Sequence, residues 1–136
     1  MTRSATPAAF TRTGVILYVE DYPACRDFYR DIVGLPVLFD TPELTCFAFG
    51  DAYLMVERDD ADAEPAAREH HATCLRLNVP DVRAHADRLA ALGVAVEVQE
   101  HAWGTVARFT DPAGNLCAFK DDARFEQQIR DHRTAT

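Results

Sequence analysis

The sequence has no run of about 18 apolar residues, so nothing in it predicts a membrane-spanning helix. It has no Cys-x-x-Cys pair either: Cys25, Cys46, Cys74 and Cys117 stand far apart, and their spacing fits no zinc motif. There is no Ser-His-Asp order, no nucleophile elbow and no glycine-rich loop of the kind that cradles phosphate. Basic charge is short, with 14 Lys and Arg against 22 Asp and Glu, a formal net charge of −8. A field of that sign repels phosphate backbones, so nucleic acid is not an expected partner, whereas a basic or aromatic small molecule would be drawn in. The opening residues, MTRSATPAAF, hold no apolar stretch long enough for a secretory signal. Each cysteine lies in an apolar segment, so the expectation is a cytoplasmic protein with reduced thiols.

What is present is a repeat. Val15-Ile-Leu-Tyr-Val-Glu-Asp21 resembles Leu75-Arg-Leu-Asn-Val-Pro-Asp81, and the two segments lie 60 residues apart. Val15, Leu17 and Val19 alternate in one copy, and Leu75, Leu77 and Val79 in the other, which predicts half-buried strands. Asp21 and Asp81 then stand where a helix N-cap belongs. After them Cys25, Phe28, Tyr29 and Ile32, and Val82, His85, Ala86 and Leu89, each mark one apolar helical stripe. Pro23 suits the first turn, and Gly34 and Gly93 follow the two helices. Short strands should come next, over 36–40, 44–49 and 52–57 in the first half and 94–98, 106–110 and 115–120 in the second. Asp111-Pro-Ala-Gly114 makes the last turn.

The expected fold class is therefore α+β, with two tandem βαβββ modules. One module exposes a sheet face it cannot cover, so two should pair into an open, barrel-like mixed sheet with helices outside and a hollow inside. Residues 1–10 read as a loose arm and 11–121 as a single domain, with module one at 11–58, a polar linker at 59–72 and module two at 73–121. The tail, 122–136, could form a helix over 124–133 anchored by Phe125 and Ile129.

The runs VILYVEDYPACRDFYRDIVGLPV, LRLNVPDVRAHADRLAALGVAV and WGTVARFTDPAGN, taken together, resemble the vicinal oxygen chelate superfamily of glyoxalase, bleomycin-resistance and dioxygenase type. The likeness spans roughly residues 12–121. It implies the glyoxalase/bleomycin-resistance fold and a homodimer. For the family's enzymes it also implies a divalent metal held by His, Gln or Glu on the first and last strands of each half. The corresponding positions here are Gly14, Cys74, Ala118 and, in the first half's last strand, Leu54 or Met55. One thiol cannot supply three or four donors. Shifting the register by one or two residues brings in no His, Glu, Asp or Gln at the first strands or at the final one. The usual metal site is thus expected to be absent, and no cofactor is expected. A displaced divalent-metal site built from Glu57, His70 and His71 is the alternative; the plainer reading leaves these three as surface residues.

Strand alternation places Gly14, Ile16 and Tyr18, Tyr53, Met55 and Glu57, Cys74, Arg76 and Asn78, and Leu116, Ala118 and Lys120 on the inward face. Ligand contacts are expected from Tyr18, Tyr53, Met55, Glu57, Cys74, Arg76, Asn78 and Trp103. Arg76, a charge between two leucines, must reach a ligand, an ion-pair partner such as Glu57, or solvent at the mouth. Trp103 could stack on a ligand or plug the barrel end. Glu57 and His101 are weak catalytic candidates; a lone loop histidine is more often simply solvated. The first functional expectation is a protein that binds a small aromatic or amphipathic molecule without metal. The alternative is an enzyme of lyase, isomerase or dioxygenase type, using a displaced metal or metal-free acid-base groups.

Overall fold

The computed structural model describes residues 9–59 and 71–135. The first eight residues, most of the linker and His70 lie outside the described residues, as does the displaced metal site in so far as it needs His70. In chain order the elements are β1 (Arg12–Val19), α1 (Tyr22–Asp27) continuing into a π-helical turn (Phe28–Val33), β2 (Val37–Asp40), β3 (Leu44–Phe49) and β4 (Ala52–Arg58). The second half repeats them as β5 (Thr73–Val79), α2 (Val82–Ala91), β6 (Glu97–His101), β7 (Gly104–Thr110) and β8 (Leu116–Asp121), and α3 (Asp122–Ala135) follows.

The strands form one eight-stranded mixed sheet, β2-β3-β4-β1-β5-β8-β7-β6, open at its ends. Within each half the first strand runs parallel to the last, β1 with β4 and β5 with β8. The halves join where β1 and β5 pair antiparallel, with Ile16 opposite Cys74 and Gly14 opposite Arg76. The βαβββ repeat read from the sequence is borne out.

Local chemistry explains the elements. Asp21 and Asp81 each accept a hydrogen bond from the backbone N–H of the third helical residue, Ala24 and Ala84, both at 3.1 Å. The Asp111 turn closes on its own carboxylate, which accepts from the backbone N–H of Ala113 and of Asn115, both at 2.9 Å, and from the Asn115 amide. The carboxyl is held below its usual range, chiefly by Asn115.

Three expectations need correction. The first helix is not α-helical to its end: the N–H of Gly34 reaches back five residues to the carbonyl of Tyr29. The wider turn leaves Cys25 and Tyr29 packed on the sheet but turns Phe28 and Ile32 to solvent. Leu75, expected on the buried face of a half-buried strand, is 46% exposed, because it sits at the seam between the halves. The sixth strand starts three residues later than the alternation of Val94, Val96 and Val98 suggests, so it carries Gln99 and His101 within the sheet.

The tail is a 14-residue helix. It enters the hollow on the side of the first module: Phe125, fully buried, lies 4.4 Å from Tyr53 and 5.5 Å from Phe39 between ring centroids. Ile129 is buried beside them. Arg12 of β1 grips Glu126 through Nε and Nη2 at 3.2 and 2.9 Å.

One cation is enclosed with this core. Lys120 is 1% exposed; its Nζ donates to the carbonyl of Trp103 at 2.8 Å and stands 4.3 Å from the Trp103 ring centroid. Burial first, and the nearby Arg76 charge second, push its pKa down to about 7.

Two outcomes follow. Phe125→Ala should cost about 3–5 kcal/mol in urea unfolding, where a loose tail would cost nothing. For Lys120 the unfolded chain holds the proton up to the ordinary 10.5, and the folded chain releases it near 7. Stability should therefore rise with pH between those values and be flat in this group below them. Measured against Lys120→Met, which retains the same thiols and phenols, the wild type should gain roughly 2 kcal/mol from pH 7 to pH 9.

Candidate functional site

The inner face of the sheet divides in two. On the side of the first module it is filled by α3. On the other side lies a cavity of about 280 Å³, bounded by β1, β5, β6, β7 and β8 and reached by the end of β4. Ile16, Val106, Leu116 and Ala118 give it apolar walls, and Tyr18, His101 and Trp103 give it an aromatic rim.

Of the residues singled out from sequence, Tyr18, Glu57, Cys74, Arg76, His101 and Trp103 line this cavity. Tyr53, Met55 and Asn78 share the inward face but lie in the packed core and do not border it. The Tyr53 hydroxyl donates to Asn78 Oδ1 at 2.8 Å, and Asn78 Nδ2 donates to Asp122 at 3.3 Å, so this pair ties β4 and β5 to the start of α3. Sequence reasoning passed over Asp59, Gln99 and Arg108, which also line the cavity, as does His71, weighed there only as part of a displaced metal site. Arg108 and Gln99 could have been found by extending the alternation argument to β6 and β7, where Arg108 faces Ala118 and Gln99 faces Val106.

Arg76 has neither of the plain fates open to it. It is 8% exposed, and among the described residues no carboxylate lies within ion-pair distance of it. Its Nε is buried without a hydrogen-bond partner. The register explains why Glu57 does not pair with it. Glu57 lies beside Tyr18, whereas Arg76 lies beside Gly14, four residues or about 13 Å along β1. Burial raises the pKa of Glu57, and the Arg76 charge only partly offsets that. Burial likewise pushes the Cys74 thiol up to about 11, which makes it a poor nucleophile at neutral pH. Tyr18 is raised in the same way, by burial first.

Trp103 is already in contact with protein groups. His101 stacks on it at 4.3 Å between ring centroids and 6° between planes, and the Lys120 ammonium lies over it. Arg124 and Lys120 hold the turn from below, donating to the carbonyls of Ala102 and Trp103 at 2.6 and 2.8 Å. The indole is thus a fixed wall at the rim.

The positions implied for a family metal do not suit one. Ile16 stands between Met55 and Cys74 across the sheet, and Ala118 lies beside Arg76. At Gly14 a Cβ would sit 2.6 Å from the Tyr53 ring, so the space a ligand side chain would need is taken by an aromatic. Among the described residues no group of three or more His, Cys, Asp or Glu side chains is placed to hold an ion. The donor set fails at these positions, and no chemical step is derived through a metal.

Comparison with known proteins agrees with this architecture. Residues 11–119 match the family model for the Glyoxalase/Bleomycin resistance protein/Dioxygenase superfamily. A structure titled as NAD-dependent benzaldehyde dehydrogenase from Legionella pneumophila superposes with a TM-score of 0.64 at 13% identity, covering 79% of this chain and 96% of that one. A glyoxalase/bleomycin resistance protein/dioxygenase superfamily member from Vibrio splendidus 12B01 gives 0.58 at 20% identity, over 80% and 97%. An extradiol ring-cleaving dioxygenase from B. fuscum gives 0.53 at 21% identity over 82% of this chain, which spans only 31% of that larger one. These likenesses establish the fold and leave the activity open. No curated protein sequence matches the chain. With the matched span covering most of its length and the βαβββ repeat in place, the chain belongs to the glyoxalase/bleomycin-resistance protein/dioxygenase superfamily.

Proposed function

We propose that this chain is a binding protein that encloses a small aromatic or amphipathic molecule in the cavity on the inner face of its second module, without the family's usual metal. The observation that carries this reading is the cavity itself. Apolar walls, an aromatic rim and a few polar groups surround about 280 Å³, and the positions where the family's metal donors would be needed carry Gly14, Cys74, Ala118 and Leu54 or Met55. The family resemblance adds the expectation of a homodimer, and Leu75 is left exposed at the seam.

The second reading is an enzyme. Glu57, His71 and His101 all border the cavity, so an acid-base group could come within reach of a bound molecule there. Metal analysis of the purified protein separates the readings: stoichiometric Ni, Zn, Fe or Mn would favour the enzyme.

Trp103 is the sole tryptophan, so its fluorescence reports the cavity rim alone. Titration with a planar naphthalene derivative should give saturable quenching and raise Tm. Ala118→Leu, which fills the cavity between Arg76 and Arg108, should weaken that binding at least tenfold while the variant still unfolds cooperatively. A panel of such compounds that neither quenches nor raises Tm would overturn the proposal.

A further inference from the structure

We propose that the molecule held in the cavity carries a carboxylate, seated over Ala118 between Arg76 and Arg108. This inference rests on the binding reading above and names the chemical class of its ligand.

Arg76, Ala118 and Arg108 occupy one row on the inner face, since Ala118 pairs with Arg76 on one side and with Arg108 on the other. The two arginines therefore spring from strands about 10 Å apart, with the smallest chiral side chain between them. All three residues border the cavity. Arg76 is more than nine-tenths buried, and its Nε has no partner. A buried guanidinium nitrogen left without an acceptor costs the fold free energy, which an acceptor on a bound ligand would offset. Nε and the adjacent Nη of one arginine form a planar fork that matches the two coplanar oxygens of a carboxylate.

The local field has the same sign. Arg76 lies close enough to Lys120 to lower its proton affinity. The acidic groups at the cavity, Glu57 and Asp59, belong to the end of β4 and the residue after it, four or more residues along the strands from the arginine row. The inner face is thus cationic at the arginine row within a protein of net charge −8. Overall charge favours a basic ligand, but the groups that would touch the ligand favour an acid. Contact outweighs the distant field, because burial removes the water and salt that screen surface charge. The remainder of the ligand would lie along Ile16, Val106 and Leu116 towards the Trp103 rim, which fits a flat aromatic acid.

The test is calorimetric titration of the full chain with 2-naphthoate and with 2-naphthamide, equal in shape and different in charge. The wild type should bind the acid at least tenfold more tightly than the amide. Arg76→Gln should abolish that preference by weakening the acid far more than the amide, and Arg76→Lys should restore only part of it. Arg108→Gln should narrow the preference by a smaller factor. Equal wild-type affinity for acid and amide would overturn the carboxylate assignment and leave the binding reading standing. So would undiminished preference in Arg76→Gln, or selection of 2-naphthyl phosphate over the naphthoate. Failure of every compound to bind would overturn the binding reading and this inference together. The wild-type comparison decides even if the Arg76 variants do not fold.

Discussion

The architecture hangs on the antiparallel pairing of β1 with β5. Each βαβββ half is a four-stranded sheet whose first strand would otherwise be an open edge, with unpaired N–H and C=O groups along its length. Pairing the two first strands satisfies both edges and merges the halves into one sheet. It also brings Gly14, Ile16, Cys74 and Arg76 together at the centre of the inner face. Every feature of the site follows from that seam, since the cavity is bounded by β1 on one side of it and by β5, β8 and β7 on the other.

The two halves use this shared face differently. In the first, α3 brings Phe125 and Ile129 against Phe39, Tyr53 and Met55, and the space becomes core. In the second, among the described residues, no helix fills the inner face, and the cavity lies there. The two-fold repeat thereby holds one site and one plug. The plug is supplied by the residues after β8. It also explains why Tyr53 and Glu57, two inward residues of a single strand, have unlike fates: Tyr53 is sealed beneath α3, and Glu57 reaches the cavity.

Much of this was legible in the sequence because it is local. The alternation in 15–19 and 75–79, the Asp21 and Asp81 caps and the Asp111 turn each depend on a few neighbouring residues, and a repeat reinforces each of the first two. What could not be read is non-local. Phe125 and Ile129 announce an apolar stripe but not the hollow it fills. The π-helical turn has no composition that separates it from an α-helix, and it alone decides which of Phe28 and Tyr29 is covered. Arg76 could be placed on the inner face by parity, but its lack of a partner depends on the stagger between β4 and β5 across β1, which no single strand encodes. Gln99 went unnoticed because it lies beyond the valine alternation that marks the sixth strand in the sequence.

The contact between Gly14 and Tyr53 also constrains how this chain could change. A single substitution that put a histidine or glutamate at position 14 would drive its Cβ to within 2.6 Å of an aromatic ring that is itself fully buried and hydrogen-bonded. Tyr53 would have to shrink first, and that change would open a void against Phe125 and orphan the Asn78 amide oxygen. Placing a metal donor at position 14 would therefore run through an intermediate sequence of lowered stability, a barrier in sequence space raised by one ring resting on one glycine.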